Sequence, residues 1–248
     1  MTHILLATGD LAMDRDRYDE SFAATAGTLR RADIVFGQLE TSLAANGTRL
    51  PQARHAVLAR PEGAQALADA GFNAVSMAGN HCMDWGREAF FETRTNLESA
   101  GLRVFGAGAN IAEARAPALF ELADGTTVAL LAYSSILPQA YWADERRPGC
   151  APMRAHTVYE QIEHDQPGTP ARIHTYPHRE DLAAMQDDIR QAKRSADLVF
   201  VSQHWGIHFV RAQLADYETD VARAAIEAGA DAVIGGHPHI IKGCQVIA

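Results

Sequence analysis

Four times along this 248-residue chain the same short arrangement returns. A helix-type stretch ends on a small residue or glycine, an Asp or Asn follows, then a run rich in Val, Ile, Phe and Ala, then polar residues. The four copies are "LRRADIVFGQLE", "LADAGFNAVSMAGNH", "AKRSADLVFVSQHWG" and "IEAGADAVIGGHPH". From Asp33 to Glu40, Asn73 to Asn80 and Asp197 to His204 the step is seven residues, and from Asp231 to His237 it is six. Apolar runs this short, set between helix-period segments, are buried strands of an α/β fold. The near-constant step predicts strands of nearly equal length. A fifth run, "HILLATGD", ends in the same way at Asp10.

The five strand ends carry Asp10, Glu40, Asn80, His81, His204, His237 and His239. Open α/β sheets collect ligand-binding groups at the carboxyl ends of their strands. Carboxylate, carboxamide and imidazole together suit borderline divalent ions, with a carboxylate able to bridge two of them about 3.5–4 Å apart. A single Asp after a strand is ordinarily a turn residue, and a single buried His ordinarily just hydrogen-bonded. Five strand ends of one kind carry the metal reading. In "GGHPH", Gly235, Gly236 and Pro238 are expected to turn the backbone so that His237 and His239 converge.

A chain of this length buries a sizeable core, and residues 1–248 are read as one domain. A net charge of −9 argues against nucleic acid or an anionic membrane as the main partner, and does not oppose a cation. Three cysteines without a CxxC fit a reducing compartment. "MTHILLATGD" enters a strand with neither a basic leader nor a long apolar stretch, so a cytoplasmic location without membrane anchor is expected. No GxGxxG follows the first strand, which argues against a nucleotide-binding Rossmann protein. Between about residues 137 and 180 the alternation lapses into a segment rich in Pro, Arg, His and aromatic residues, among them Tyr141, Trp142, Arg147, Arg154 and His174. It is read as an irregular insertion, either a lid gripping an anionic substrate or a structural hairpin. The closing "GCQVIA" reads as the start of a further strand, with the C-terminus either truncated or its tail lost.

"GD" at Gly9-Asp10, "QLE" ending at Glu40, "GNHCMDWG" at 79–86, "HWG" at 204–206 and "GGHPH" at 235–239 resemble the successive motifs of the CapA-like, poly-γ-glutamate capsule family of the calcineurin-like metallophosphoesterases. "NLESAGLRVFGAGANIAEARAP" resembles the family's segment between its third and fourth motifs. The resemblance implies a four-layer α/β/β/α sandwich of two mixed sheets with a dinuclear site at one sheet edge. It implies that Asp10 and His239 hold one ion, that Asn80, His204 and His237 hold the other, and that Glu40 bridges them. His81 would act beside the metals as general acid or oxyanion partner, with Asp84 either orienting it or capping the helix that begins at Gly86. Arg15 is read as a contact for an anionic substrate group.

Three positions depart from the pattern. Ala12 stands where the superfamily has a histidine, leaving Asp10, Glu40 and His239 as the protein ligands of the first ion. Glu40 stands where the superfamily has Asp. His208 stands where the capsule family usually has an acidic residue, and either adds a ligand or lines the substrate site. The expected function is a metal-dependent hydrolase using one or two divalent ions (Mn, Zn, Fe or Co) against a phosphoester or an amide such as a γ-glutamyl linkage, in a small or polymeric anionic substrate. The alternative is a non-catalytic metal-binding component of capsule polymer synthesis or assembly.

Overall fold

Parallel strands need their first residues held in register, and in this chain the recurring Asp or Asn does it. In the computed structural model, which describes residues 2–247, β1 (Leu5–Leu11), β2 (Ile34–Leu39), β3 (Ala74–Ser76) and β4 (Arg103–Phe105) form an all-parallel sheet in that order. β5 (Ala118–Glu121) pairs antiparallel with β6 (Thr127–Ser134). A separate antiparallel hairpin follows, β7 (Ala155–Glu160) with β8 (Arg172–Pro177). β9 (Leu198–His204) and β10 (Ala232–Gly236) run parallel to β6 and complete a second, mixed sheet of order β10-β9-β6-β5. The main helices are α1 (Gly63–Ala70), α2 (Gly86–Ser99), α3 (Arg179–Lys193) and α4 (Asp216–Glu227).

One bonding pattern recurs at the start of four strands. Asp33, Asn73, Asp197 and Asp231 each donate their backbone N–H to a carbonyl of the neighbouring strand: Ile4, Val35, Thr127 and Val199 in turn. Each side-chain oxygen then accepts the N–H of that same neighbour, at 2.8, 2.8, 2.8 and 2.7 Å. The acidic or amide residue thus extends the ladder by one bond where the strand has just begun, satisfying a donor that would otherwise need water.

β6 shows how the two sheets share apolar side chains. Val128, Leu130 and Ala132 join the core that contains Val35, Phe36, Val75 and Phe105 of the first sheet. Ala129, Leu131 and Tyr133 join a second core with Met185 and Ile189 of α3 and Val221 and Ala225 of α4. Successive side chains point to opposite faces, so a strand covered on both sides must be apolar throughout. Each such Leu, Val or Phe contributes roughly 1.5–3 kcal/mol by leaving water.

Two expectations, the length of β3 and a strand at the C-terminus, are corrected here. β3 has only three residues rather than the length of its counterparts. The chain leaves the sheet at Met77–Gly79, where a Cβ on Gly79 would stand 2.6 Å from Gln38 Nε2. The segment 137–180 holds the β7–β8 hairpin, and Val158, Tyr159, Ile173 and Tyr176 are exposed on it, so it lacks the apolar alternation of a strand packed on a core. Among the described residues no strand begins in the closing segment: residues 241–247 are irregular. Among the described residues, no helix is long and apolar enough to cross a membrane.

Candidate metal centre

The strand ends of both sheets deliver the ligand-type side chains to one place. Asp10 comes from a register irregularity in β1, where Ala7 pairs with Phe36 but Asp10 with Gln38. One extra residue on one strand re-aims the side chains after it. Glu40 follows β2 directly, Asn80 sits in the loop after β3, His204 is the last residue of β9, and His237 and His239 follow β10. His204 Nε2 is 2.6 Å from Asn80 Oδ1 and 3.4 Å from Glu40 Oε1. Its Nδ1 is 4.0 Å from Asp10 Oδ1, and His239 Nε2 is 3.5 Å from Asp10 Oδ2. The His204 and His237 ring centres are 4.8 Å apart.

The turn that brings the two histidines round differs from the one expected. Gly235 and Gly236 stay in β10 without positive φ, and it is His237 (φ 88°) and His239 (φ 53°) that adopt the left-handed conformation. The glycines are needed for space: a Cβ on Gly235 would meet Trp205 Nε1 at 2.5 Å, and one on Gly236 would meet Asp10 Oδ1 at 3.3 Å. Left-handed backbone at a non-glycine residue is costly and concentrates at functional sites.

Glu40, His204 and His237 are buried, and the cluster is short of partners. Asp10 Oδ1, Glu40 Oε1, His204 Nδ1 and His237 Nδ1 are inaccessible and make no hydrogen bond. Burial, reinforced by the neighbouring Asp10 charge, pushes Glu40 up to about 7. Burial also raises Asp10, against the opposing effect of His239. It pushes His237 down to about 4 and His204 well below the ordinary imidazole range. Buried carboxyl groups beside imidazoles held neutral are a donor set that a divalent cation completes. Asp10, Glu40 and His204 offer one such group and His208, His237 and His239 another, the donor atoms within each lying within 4.8 Å of one another.

His81 stands beside this cluster. Its Nδ1 is 2.6 Å from Asp84 Oδ2, and its Nε2 faces Glu40 Oε2 at 3.7 Å. Burial lowers its pKa, but the Asp84 hydrogen bond and the charges of Glu40, Asp84 and Asp10 outweigh that and raise it overall. Asp84 does not cap the following helix, whose N-cap is Trp85 without a side-chain bond. Its second oxygen accepts the Tyr141 hydroxyl at 2.8 Å. Tyr141, grouped by sequence with the lid residues, is fully buried. Its spacing from Asp84 gave no signal, since the pair is 57 residues apart in the chain.

The other basic residues of the insertion bond mainly to acids near them. Arg154 forks onto Asp181, Arg147 pairs with Asp144, and both Arg172 and His174 meet Glu160. Arg15 is exposed in the irregular stretch after β1 and, among the described residues, makes no hydrogen bond or ion pair to the cluster. Trp205 is buried edge-on against Tyr217, a packing role. A cavity of about 290 Å³ lies apart from the cluster, lined by Tyr133, Trp142, Arg115 and Arg154, and both arginines are already paired with Asp188 and Asp181.

The model of the bacterial capsule synthesis protein PGA_cap family matches residues 4–248. The chain belongs to the PGA_cap family. Among similar proteins is the PGA biosynthesis protein CapA of Bacillus subtilis (strain 168), 24% identical over 230 residues that cover 92% of this chain and 53% of the relative. Another is the uncharacterized protein y4sH of Sinorhizobium fredii, 29% identical over 294 residues, covering 98% of this chain and 62% of the relative. This PGA_cap chain therefore spans between half and two thirds of the length of these relatives. A solved structure from Staphylococcus aureus, assigned as a 5′-nucleotidase and in complex with alpha-ketoglutarate, aligns with 95% of this chain and 44% of its own at TM-score 0.46 and 16% identity, too distant a likeness to carry function.

Proposed function

We propose that this PGA_cap chain is a metal-dependent hydrolase whose cluster holds one or two divalent ions (Mn, Zn, Fe or Co) and directs water at a phosphoester or an amide such as a γ-glutamyl linkage. The observation that carries the reading is the set of four buried, unpartnered donor atoms on Asp10, Glu40, His204 and His237. Each such atom costs about 1–3 kcal/mol when left without a partner, and a cation removes that cost for all four. Asp10 and His239 would hold one ion, Asn80, His204 and His237 the other, with Glu40 between them.

Ions so held supply a water of lowered pKa and a Lewis acid for the oxygen under attack. The protein's part is to place protons and charge. His81, its Nδ1 fixed by Asp84 and Asp84 fixed by Tyr141, keeps Nε2 on the cluster side, where it can donate to a leaving oxygen or nitrogen. Arg15 would meet an anionic group of a small or polymeric substrate, with the insertion as a lid. The architecture that accompanies this reading is the metallophosphoesterase-like four-layer sandwich, supported by the alternation of β6 between two cores.

The name of the Bacillus subtilis relative, a PGA biosynthesis protein, favours a second reading: a non-catalytic metal-binding component of capsule polymer synthesis or assembly. One experiment separates the two. Metal content is measured on protein purified without chelator, and phosphoester and γ-glutamyl amide substrates are then screened with Mn, Zn, Fe and Co added back. Metal-dependent turnover supports the hydrolase, bound metal without turnover of either class supports the assembly component, and no metal under replete conditions removes both.

A further inference from the structure

We propose that His208 is a metal ligand in this chain, joining Asp10, Glu40 and His239 as the fourth donor to the ion at that end of the cluster, an ion of the zinc or cobalt class; the inference rests on the metal-centre reading above. His208, His237 and His239 each bring a ring nitrogen within 4.8 Å of the other two. Nitrogens sharing a tetrahedral ion at about 2.0–2.1 Å stand roughly 3.4 Å apart. His208 and His239 are both exposed, so turning these two rings closes the difference without disturbing the core.

The surroundings are built around that meeting. His208 lies parallel to His237 with ring centres 4.6 Å apart, and edge-on to His239 at 4.8 Å. Phe209 N–H donates to the Pro238 carbonyl at 2.9 Å, tying the turn that carries His208 to the turn that carries the other two. Both turns hold non-glycine residues in left-handed conformations: Phe209 (φ 59°), His237 (φ 88°) and His239 (φ 53°). Conformations costing of order 1–3 kcal/mol each persist where the structure over-determines them. Packing does not require the arrangement, because His208 is exposed and, among the described residues, the three imidazoles form no hydrogen bond with one another. His237 Nδ1 is buried without a partner.

The set is continuous with the rest of the cluster, since His239 also reaches Asp10 at 3.5 Å. That end of the site otherwise offers Asp10, Glu40 and His239, so His208 supplies the fourth donor of a tetrahedral set. A fourth ligand that is imidazole favours Zn or Co over Mn, which prefers oxygen.

The test is calorimetric titration of the metal-free full chain with Zn(II), Co(II) and Mn(II), together with the visible spectrum of the Co(II) form. Wild type is compared with His208→Ala, His208→Gln and, as a distant control, His164→Ala. Both His208 variants should weaken a Zn step about tenfold or more, change the Co(II) spectrum and lower the Zn-over-Mn preference, while His164→Ala matches wild type. Circular dichroism melts of the metal-free proteins check that all of them fold. If wild type binds metal and both variants match it in affinity and spectrum, His208 is not a ligand and the metal-centre reading stands. If wild type binds none of the three metals, both readings fall.

Discussion

Asn73 and Val35 hold each other twice, the Asn73 N–H donating to the Val35 carbonyl at 3.0 Å and the Asn73 side-chain oxygen accepting the Val35 N–H at 2.8 Å. The Asn73 amide nitrogen also donates to the Asp33 carbonyl at 2.9 Å, so one side chain ties β3 to β2. Replacing it with Ala leaves a partly buried N–H and a carbonyl without these partners. Asn73→Ala should therefore lose about 1–3 kcal/mol in urea denaturation, with metal content unchanged. Metal loss at native stability would show that the pin serves the site and not the sheet.

His204→Ala and His237→Ala each remove a donor whose other neighbours are already buried and unpartnered. Both variants should lose metal by elemental analysis when wild type retains it. In wild type, chelation should lower the thermal midpoint. Readdition at a hundred times the dissociation constant should restore about 2.7 kcal/mol. Midpoints that ignore both chelator and metal contradict the placement of the ions.

His81→Ala should keep its metal and lose turnover by about a hundredfold or more. The loss should shrink for substrates whose leaving group has a low pKa, because those need little protonation. Tyr141→Phe removes the 2.8 Å bond to Asp84 without touching the cluster, so it should lower turnover by less and leave metal affinity intact. If His81→Ala releases metal, His81 is a ligand.

Metal affinity should depend on pH through Glu40 first. Its folded carboxyl is pushed up to about 7, above its ordinary 4.5, so below pH 7 an ion must displace a proton from it. Affinity should be nearly level above pH 7 and fall by about tenfold per unit below it. His237, pushed down to about 4, adds to the competition only near that pH. Titration calorimetry from pH 5.5 to 8 reads the slope, and a flat profile would mean that Glu40 does not bind the ion. The sign for the metal-free protein differs. Between 4.5 and 7 the folded state holds the Glu40 proton that the unfolded chain has released, so this group's contribution weakens the fold as pH rises through that window.

Much of the fold could be read from the chain alone, because its signals are local. An apolar run with a fixed step is a buried strand wherever it sits, and β2, β9 and β10 lie where their runs lie. The residues after those runs were legible as candidate ligands for the same reason. The Asp and Asn before the runs were visible as a pattern, but their role was not, since each bonds a strand about 30 to 70 residues away. Strand length also escaped at β3, which ends at Ser76, three residues before Gly79 packs closely on Gln38.

In the site, residue types determined the chemistry and tertiary contacts determined the partnerships. Two imidazoles around a proline announce a turn, yet it is His237 and His239 that take positive φ, while Gly235 and Gly236 serve close approach to Trp205 and Asp10. Nothing in "HWGIH" or "LPQAYW" signals that His208 meets His237 and His239, or that Tyr141 holds Asp84. Such contacts join residues distant in the chain, and loop conformation and burial, which local periodicity does not encode, decide them.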